Sequence, residues 1–365
     1  MAGATGDRCA DLDPSNGLAP YLDMAAGEPA IELADGATIN TETGTIVSNG
    51  QVVIVSSAVV AQTGTDVKLR VFVAKQLVLR GTQVTGAMAL AFVAEGPVQV
   101  NGELDAAADH TVGGAGSEPG GPCSGARGST GGETASFGAG GAGNATEGGP
   151  GGGNNFERGG RGPIRDSDLQ PLVGGCSGGA VEGVDNGGGT VIDGGAGGGA
   201  IELVSRTSIT VAVSGTSIGK IHVGGGGAVQ GLAPFNQGYS GAGSGGGVLL
   251  EAPAVVLSGA GAIVAANGGS GGACAGGENA TASTTVAPGA PECTAPPFIG
   301  AGGNGAATTS VAGGGAFGRT GAGGGGGGGL GYLVVRTTTG QFAPQNGAAV
   351  SAKLKQLPLR TRPRT

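Results

Sequence analysis

At 365 residues the chain is long enough for two ordinary domains. Its 87 glycines, 12% charged and 3% aromatic residues, with no tryptophan, set it apart from them, since an ordinary domain carries about 7% glycine and about 25% charge. A glycine that does not recur at every third position, with only 18 prolines, excludes collagen. A net charge of −8 excludes a general nucleic-acid-binding surface, and no stretch reaches the roughly 20 apolar residues that span a bilayer.

Residues 1–29 are polar and turn-rich and read as an N-terminal cap, with a short helix expected over Leu18–Ala26 around Pro20. Met1–Gly17 has no apolar signal core, so an export signal has either been removed or is not of the cleaved kind. From Ala30 to Ala108 glycine falls and short runs rich in Val, Ile, Leu and Thr dominate, bounded by Gly, Asn or Asp, which predicts strands throughout.

A pentad, apolar-x-apolar-x-Gly, recurs at Leu77–Gly81, Val98–Gly102, Val211–Gly215 and Val255–Gly259, each followed by a second short strand: ELDAA from Glu103, SIGKIHV ending at Val223, and AIVAA from Ala262. Alternate side chains turned inward, a tight turn at glycine and a second strand describe one coil of a repeat. The spacing from Leu77 to Val98 fits a single coil. The fold class expected is all-β: a parallel β-solenoid (right-handed β-helix) over 30–337. Long glycine-rich inserts at about 113–199, 224–247 and 268–329 then leave one corner of the coil. Two readings of these inserts stand open. A free glycine-rich chain is flexible, whereas backbones without side chains can also approach closely and bond laterally as extended polyglycine-type layers. Residues 338–365 are read as a C-terminal extension with a basic tail, in which Lys353, Lys355, Arg360, Arg362 and Arg364 stand either solvated or against an acidic surface.

Five cysteines match no zinc-ligand spacing. Cys123 and Cys176 lie within the first insert, and Cys274 and Cys293 span much of the third. Bridging the ends of a floppy segment removes the most unfolded-state entropy, so the pairs expected are Cys123–Cys176 and Cys274–Cys293, with Cys9 unpaired or intermolecular. Such bridges imply an oxidising compartment.

Motifs with catalytic associations are weak here. Gly138–Gly143 fits G-x-G-x-x-G without a following helix, and Gly175–Gly179 and Gly268–Gly272 fit G-x-S-x-G in a chain with only His110 and His222 as histidines. Asp105, Asp109 and His110 form the best polar cluster, a metal or acid–base site if a coil corner gathers them and a solvated strand end otherwise. Calcium has no repeated GGxGxD series to bind it, and no cofactor is expected. Glu32, Glu95, Glu202 and Glu251 fall near the starts of successive coils and are expected on an outward face. Asn144-Ala145-Thr146 and Asn279-Ala280-Thr281 fit glycosylation sequons.

The V-x-V-x-G coils, with connections of the form GGGGG…GGG[AV][IL]xL, resemble glycine-rich bacterial surface and secreted proteins with right-handed parallel β-helices, a pectate-lyase-like shape without evident catalytic residues. This resemblance implies export, a surface or matrix location and a structural or adhesive role, with partners drawn from the chain itself, end to end, or from surface polysaccharide. The alternatives are a carbohydrate-binding or carbohydrate-active protein and an ice-binding protein.

Overall fold

The computed structural model describes residues 11–125, 137–153, 159–183, 190–229, 239–293, 299–316 and 323–363. Strands dominate, with one six-residue α-helix, Ala19–Met24. Three sheets carry most of them, and most pairings within the three are parallel. Leu69–Ala74, Ala89–Ala94, Ala200–Ser205, Gly247–Glu251, Tyr332–Thr337 and Lys353–Pro358 stack in the first sheet. Ile31–Leu33, Leu77–Leu79, Val98–Val100, Ser208–Ser214 and Ala254–Ser258 stack in the second. Ala37–Asn40, Thr82–Thr85, Glu103–Asp105, Lys220–His222, Ile263–Ala265 and Ala349–Ser351 stack in the third. The chain visits first, second and third sheet in that order and then begins again. Between Ile31 and Val60 it departs from this rule: Thr45–Ser48, Gln51–Val53 and Ser56–Val60 pair antiparallel and close the N-terminal end of two sheets.

The pentad rule holds for three copies and slips for one. Leu77 pairs with Val98 and Leu79 with Val100, and these pair with Ile209 and Val211, which pair in turn with Val255 and Leu257. The third copy of the repeat thus pairs through Ile209–Val211, two residues ahead of its apparent position. The rest of the run, to Ser214, is a hairpin with Ser217–Ile218, turned at Gly215 with φ +62°. The corner expected at Gly215 falls instead at Gly219, where a Cβ would lie 2.2 Å from the Val100 carbonyl oxygen. Gly102 holds the corresponding corner one coil earlier, 2.1 Å from the Arg80 carbonyl oxygen on the same construction.

The inner strands of the first sheet, Ala89–Ala94, Ala200–Ser205, Gly247–Glu251 and Tyr332–Thr337, are buried on both faces, so they read as largely apolar runs. Leu90, Phe92, Ile201, Leu203, Val248 and Leu250 face the interior with the ladders of the other two sheets. Ala91, Val93, Val204, Leu249 and Val334 face outward into a second cluster closed by Leu18, Leu22, Leu169 and Leu172. The N-terminal helix therefore covers a sheet face. Nor do the strands stop at 337: Ala349–Ser351 and Lys353–Pro358 extend the third and first sheets, and Thr361–Arg362 pairs with Asp11–Leu12.

All three glycine inserts leave after a strand of the third sheet, at Asp105, His222 and Ala265, and return into the first sheet at Ala200, Gly247 and Tyr332. They are ordered. The stretch from Gly323 to Gly331 donates N–H bonds on a three-residue period: Gly324 and Gly327 to Ala316 and Gly313, Gly325 and Gly328 to Gly272 and Gly269, Gly326 and Gly329 to Ala139 and Ala142. Its carbonyls accept on the same period from Gly152 and Gly149, from Gly303 and Ala306, and from Tyr239, Ala242 and Gly245. Three residues per repeat with every bond made outward is polyproline-II geometry, and this segment touches six others. A side chain has no room there, since a Cβ on Gly327 would sit 1.9 Å from the Asn304 carbonyl oxygen.

Two disulfides lock these layers, Cys123–Cys176 and Cys274–Cys293, as the spacing predicts. Cys9 lies outside the described residues.

Candidate functional site

Polar side chains gather in three places. The first is the outward face of the third sheet, where Asp105 pairs in register with His222 and Glu103 with Lys220. His222 Nδ1 lies 3.2 Å from Asp105 Oδ1 and 3.6 Å from Glu103 Oε1, while Lys220 Nζ stands 3.8 Å from Glu103 Oε2. The His222 side chain is 8% exposed, against 38% and 40% for the two carboxylates. Its ring lies against Gly224, where a Cβ would be 2.6 Å from Nε2. Burial raises the Asp105 pKa, but the bonds from His222 and from the Ala107 N–H outweigh it and hold the carboxyl below its ordinary value.

The expected cluster of Asp105, Asp109 and His110 divides here. Asp105 joins Glu103 and His222. Asp109 instead accepts from His110 Nδ1 at 3.0 Å and from the Asn279 amide at 2.8 Å. Glu103 and His222 carry no motif of their own; the signal for them is register, because ELD and KIH are the same corner strand in successive coils.

Asn279 also accepts from the N–H groups of His110 and Gly227, and Asn144 is fully buried with its amide donating to the Gly245 carbonyl. Both sequon asparagines are structural. Gly138 and Gly141, from the dinucleotide-like match, pack on the carbonyls of Gly324 and Gly327. Cys176 and Ser270, from the elbow-like matches, are buried.

The second place lies beneath the N-terminal segment. Glu202 and Glu251, expected on an outward face, do point away from the coil interior, yet both are fully buried because residues 15–16 and 169–172 cover that face. Ser15 donates its N–H and hydroxyl to Glu251, each at 2.8 Å, and Asn16 donates to Glu202 Oε2 at 2.8 Å. Arg336 Nε stands 3.4 Å from Glu251. Burial, and then the charge of Glu251, push the Glu202 carboxyl well above the usual carboxylate range. Its Oε1 has no hydrogen-bond partner among the described groups. Glu95 instead pairs with Arg206, which also holds Asp11 and Asp23, and Glu32 pairs with Arg80.

The third is a polar cleft beside this cover. A cavity of about 470 Å³ bordered by Arg165, Asp168, Arg336 and Arg360 adjoins one of about 450 Å³ through Gln170, Pro171 and Arg360. It adjoins another of about 470 Å³ through Thr65 and Glu118. Two charges of the basic tail are ion-paired to the body: Lys355 to Asp166 and Asp168, Arg362 to Asp23. Arg360 has only the Gln170 side-chain oxygen, at 3.1 Å, and no carboxylate at ion-pair distance among the described residues. Arg364 lies outside them.

Compared with family models, curated proteins and solved structures, the chain matches none. Among the described residues no helix is long and apolar enough to cross a membrane.

Proposed function

We propose that this chain is an extracellular structural or adhesive protein, built as a right-handed three-faced β-solenoid that carries a glycine slab along one corner. The observation that carries this reading is the six-neighbour bonding of Gly323–Gly331. A chain that builds such an array of close-packed glycine backbone, with its polar clusters outside that array, invests in shape. Two disulfides inside the slab suit an oxidising compartment.

End-to-end assembly has unequal ends to work with. At the N-terminal end Ile54 is 91% and Val52 66% exposed. The C-terminal edge strand, Lys353–Pro358, carries Lys353, Lys355 and Pro358, the residues that blunt an edge. Sedimentation and negative-stain microscopy over about a hundredfold range of concentration test assembly. Filaments that vanish in Ile54→Lys support it, whereas monodisperse particles at every concentration leave adhesion by single molecules as the role.

A second reading, carbohydrate binding, is favoured by the cleft around Arg360, whose hydrogen-bonding lining, with a guanidinium that has no carboxylate at ion-pair distance among the described residues, suits a hydroxylated, acidic ligand. Glycan binding that is lost in Arg360→Ala would establish it. Ice binding calls for a regular array of Thr or Ala. The outward column of the second sheet instead runs Glu32, Val78, Gln99, Thr210, Val256, with one threonine from TSITVAVSGTS.

A further inference from the structure

From the cluster on the third sheet we infer that Glu103, Asp105 and His222 form a binding site for a divalent transition-metal ion, of which Zn²⁺ is the best fit. The inference goes beyond the structural reading and does not depend on it. His222 Nδ1 faces two carboxylates at once. A proton on Nδ1 serves Asp105 at 3.2 Å but leaves Glu103, at 3.6 Å, beyond hydrogen-bond reach. A cation between the three serves both.

The separations suit this. Zinc ligands at about 2.0–2.1 Å in a tetrahedron stand about 3.3–3.4 Å apart, and the two nitrogen-to-oxygen distances lie on either side of that value. One oxygen of Glu103 faces His222 and the other faces Lys220, so the carboxylate can ligate an ion while keeping its lysine. The combined charge of Glu103, Asp105 and Lys220 is −1, which a divalent ion reverses. Imidazole with two carboxylates selects a first-row ion over calcium, which takes six to eight oxygens.

Rigid placement is the second argument. The three ligands sit on paired strands in fixed register, Asp105 beside His222. Their rings and carboxylates therefore need no loop closure to converge. His222 is more than nine-tenths buried, with Nε2 packed against Gly224 and no partner for it among the described groups. Its ring is thus fixed with Nδ1 toward the carboxylates. The partial exposure of Glu103 and Asp105 leaves a fourth position open to water or to an external oxygen ligand. Glu103 and Asp105 precede the first glycine insert and His222 precedes the second, so an ion here ties the roots of two inserts together.

The test is calorimetric titration of the full chain, freed of metal with EDTA, with ZnCl₂ near pH 7. One ion per chain is expected, with affinity reduced at least about a hundredfold in His222→Ala and in the isosteric Asp105→Asn, and raised in Lys220→Gln, which removes the competing cation. Circular dichroism of each variant separates loss of the site from loss of the fold. The inference is overturned if no one-to-one binding is seen. It is equally overturned if folded Asp105→Asn and His222→Ala bind as the parent does, which would place the ion on Asp109 and His110 or elsewhere.

Discussion

Glu202 shows how a single side chain is defined by residues far from it in sequence. The spacing of acidic residues near coil starts is visible in the chain, and so is the outward direction of Glu202, because alternation fixes it. Its burial was not legible, because the cover comes from Ser15, Asn16, Leu169 and Leu172, which nothing in the local pattern ties to position 202. The consequence is a pH dependence with a definite sign. A carboxyl whose pKa is raised on folding contributes stability that is fully present below its unfolded pKa, about 4.3, and is lost as pH rises through the folded value. Thermal unfolding should therefore show a midpoint that falls as pH is raised from about 4.5. Glu202→Gln, which keeps a donor toward Glu251 and carries no charge, should flatten that fall and be neutral or stabilising at neutral pH. A parent-like pH profile in the variant would show that Glu202 is ionised in the fold.

At the scale of elements, the strands were legible and their register only partly so. Val98–Val100 and Ala254–Ser258 follow from alternation and a closing glycine, but SITVAVSG contains two phases of the same pattern. Only pairing with Val100 selects Ile209–Val211 over Val211–Val213. Composition located the inserts yet could not decide their order, because an ordered array and a loose loop use the same residue. The order is testable by adding one methyl group. Gly327→Ala places a Cβ against the Asn304 carbonyl oxygen and should cost about 2 kcal/mol or more in urea unfolding, as overpacking of a filled interior does. Gly27→Ala, at a position with nothing within 4 Å, should change stability by less than about 1 kcal/mol. Equal effects would mean that the array is not close-packed. The disulfides belong to the same scale. With separations of 53 and 19 residues, the chain-entropy model gives about 4 kcal/mol for Cys123–Cys176 and about 3 kcal/mol for Cys274–Cys293. Paired Cys→Ser variants should lose stability in that order.

For the molecule as a whole, two kinds of interior are joined along one corner. The three sheets bury a ladder of Val, Ile and Leu between them, and their stabilisation is apolar burial. The slab buries mainly backbone with small side chains such as Ala139, Ala142 and Ala242, and its cohesion is chiefly backbone hydrogen bonding between extended segments, reinforced by two disulfides. Each such bond contributes about 1 kcal/mol net, while each broken and buried one costs more, so the slab should hold or open as a unit. The most direct measurement is amide hydrogen exchange resolved to the glycine segments. Gly324–Gly329 should exchange with protection comparable to Leu90–Ala94 in the core of the first sheet, and that protection should survive in conditions where chain ends exchange freely. Exchange of Gly324–Gly329 at the rate of an unstructured peptide, with Leu90–Ala94 still protected, would contradict the account: the inserts would be loose loops on the parallel sheets, and the slab would not exist.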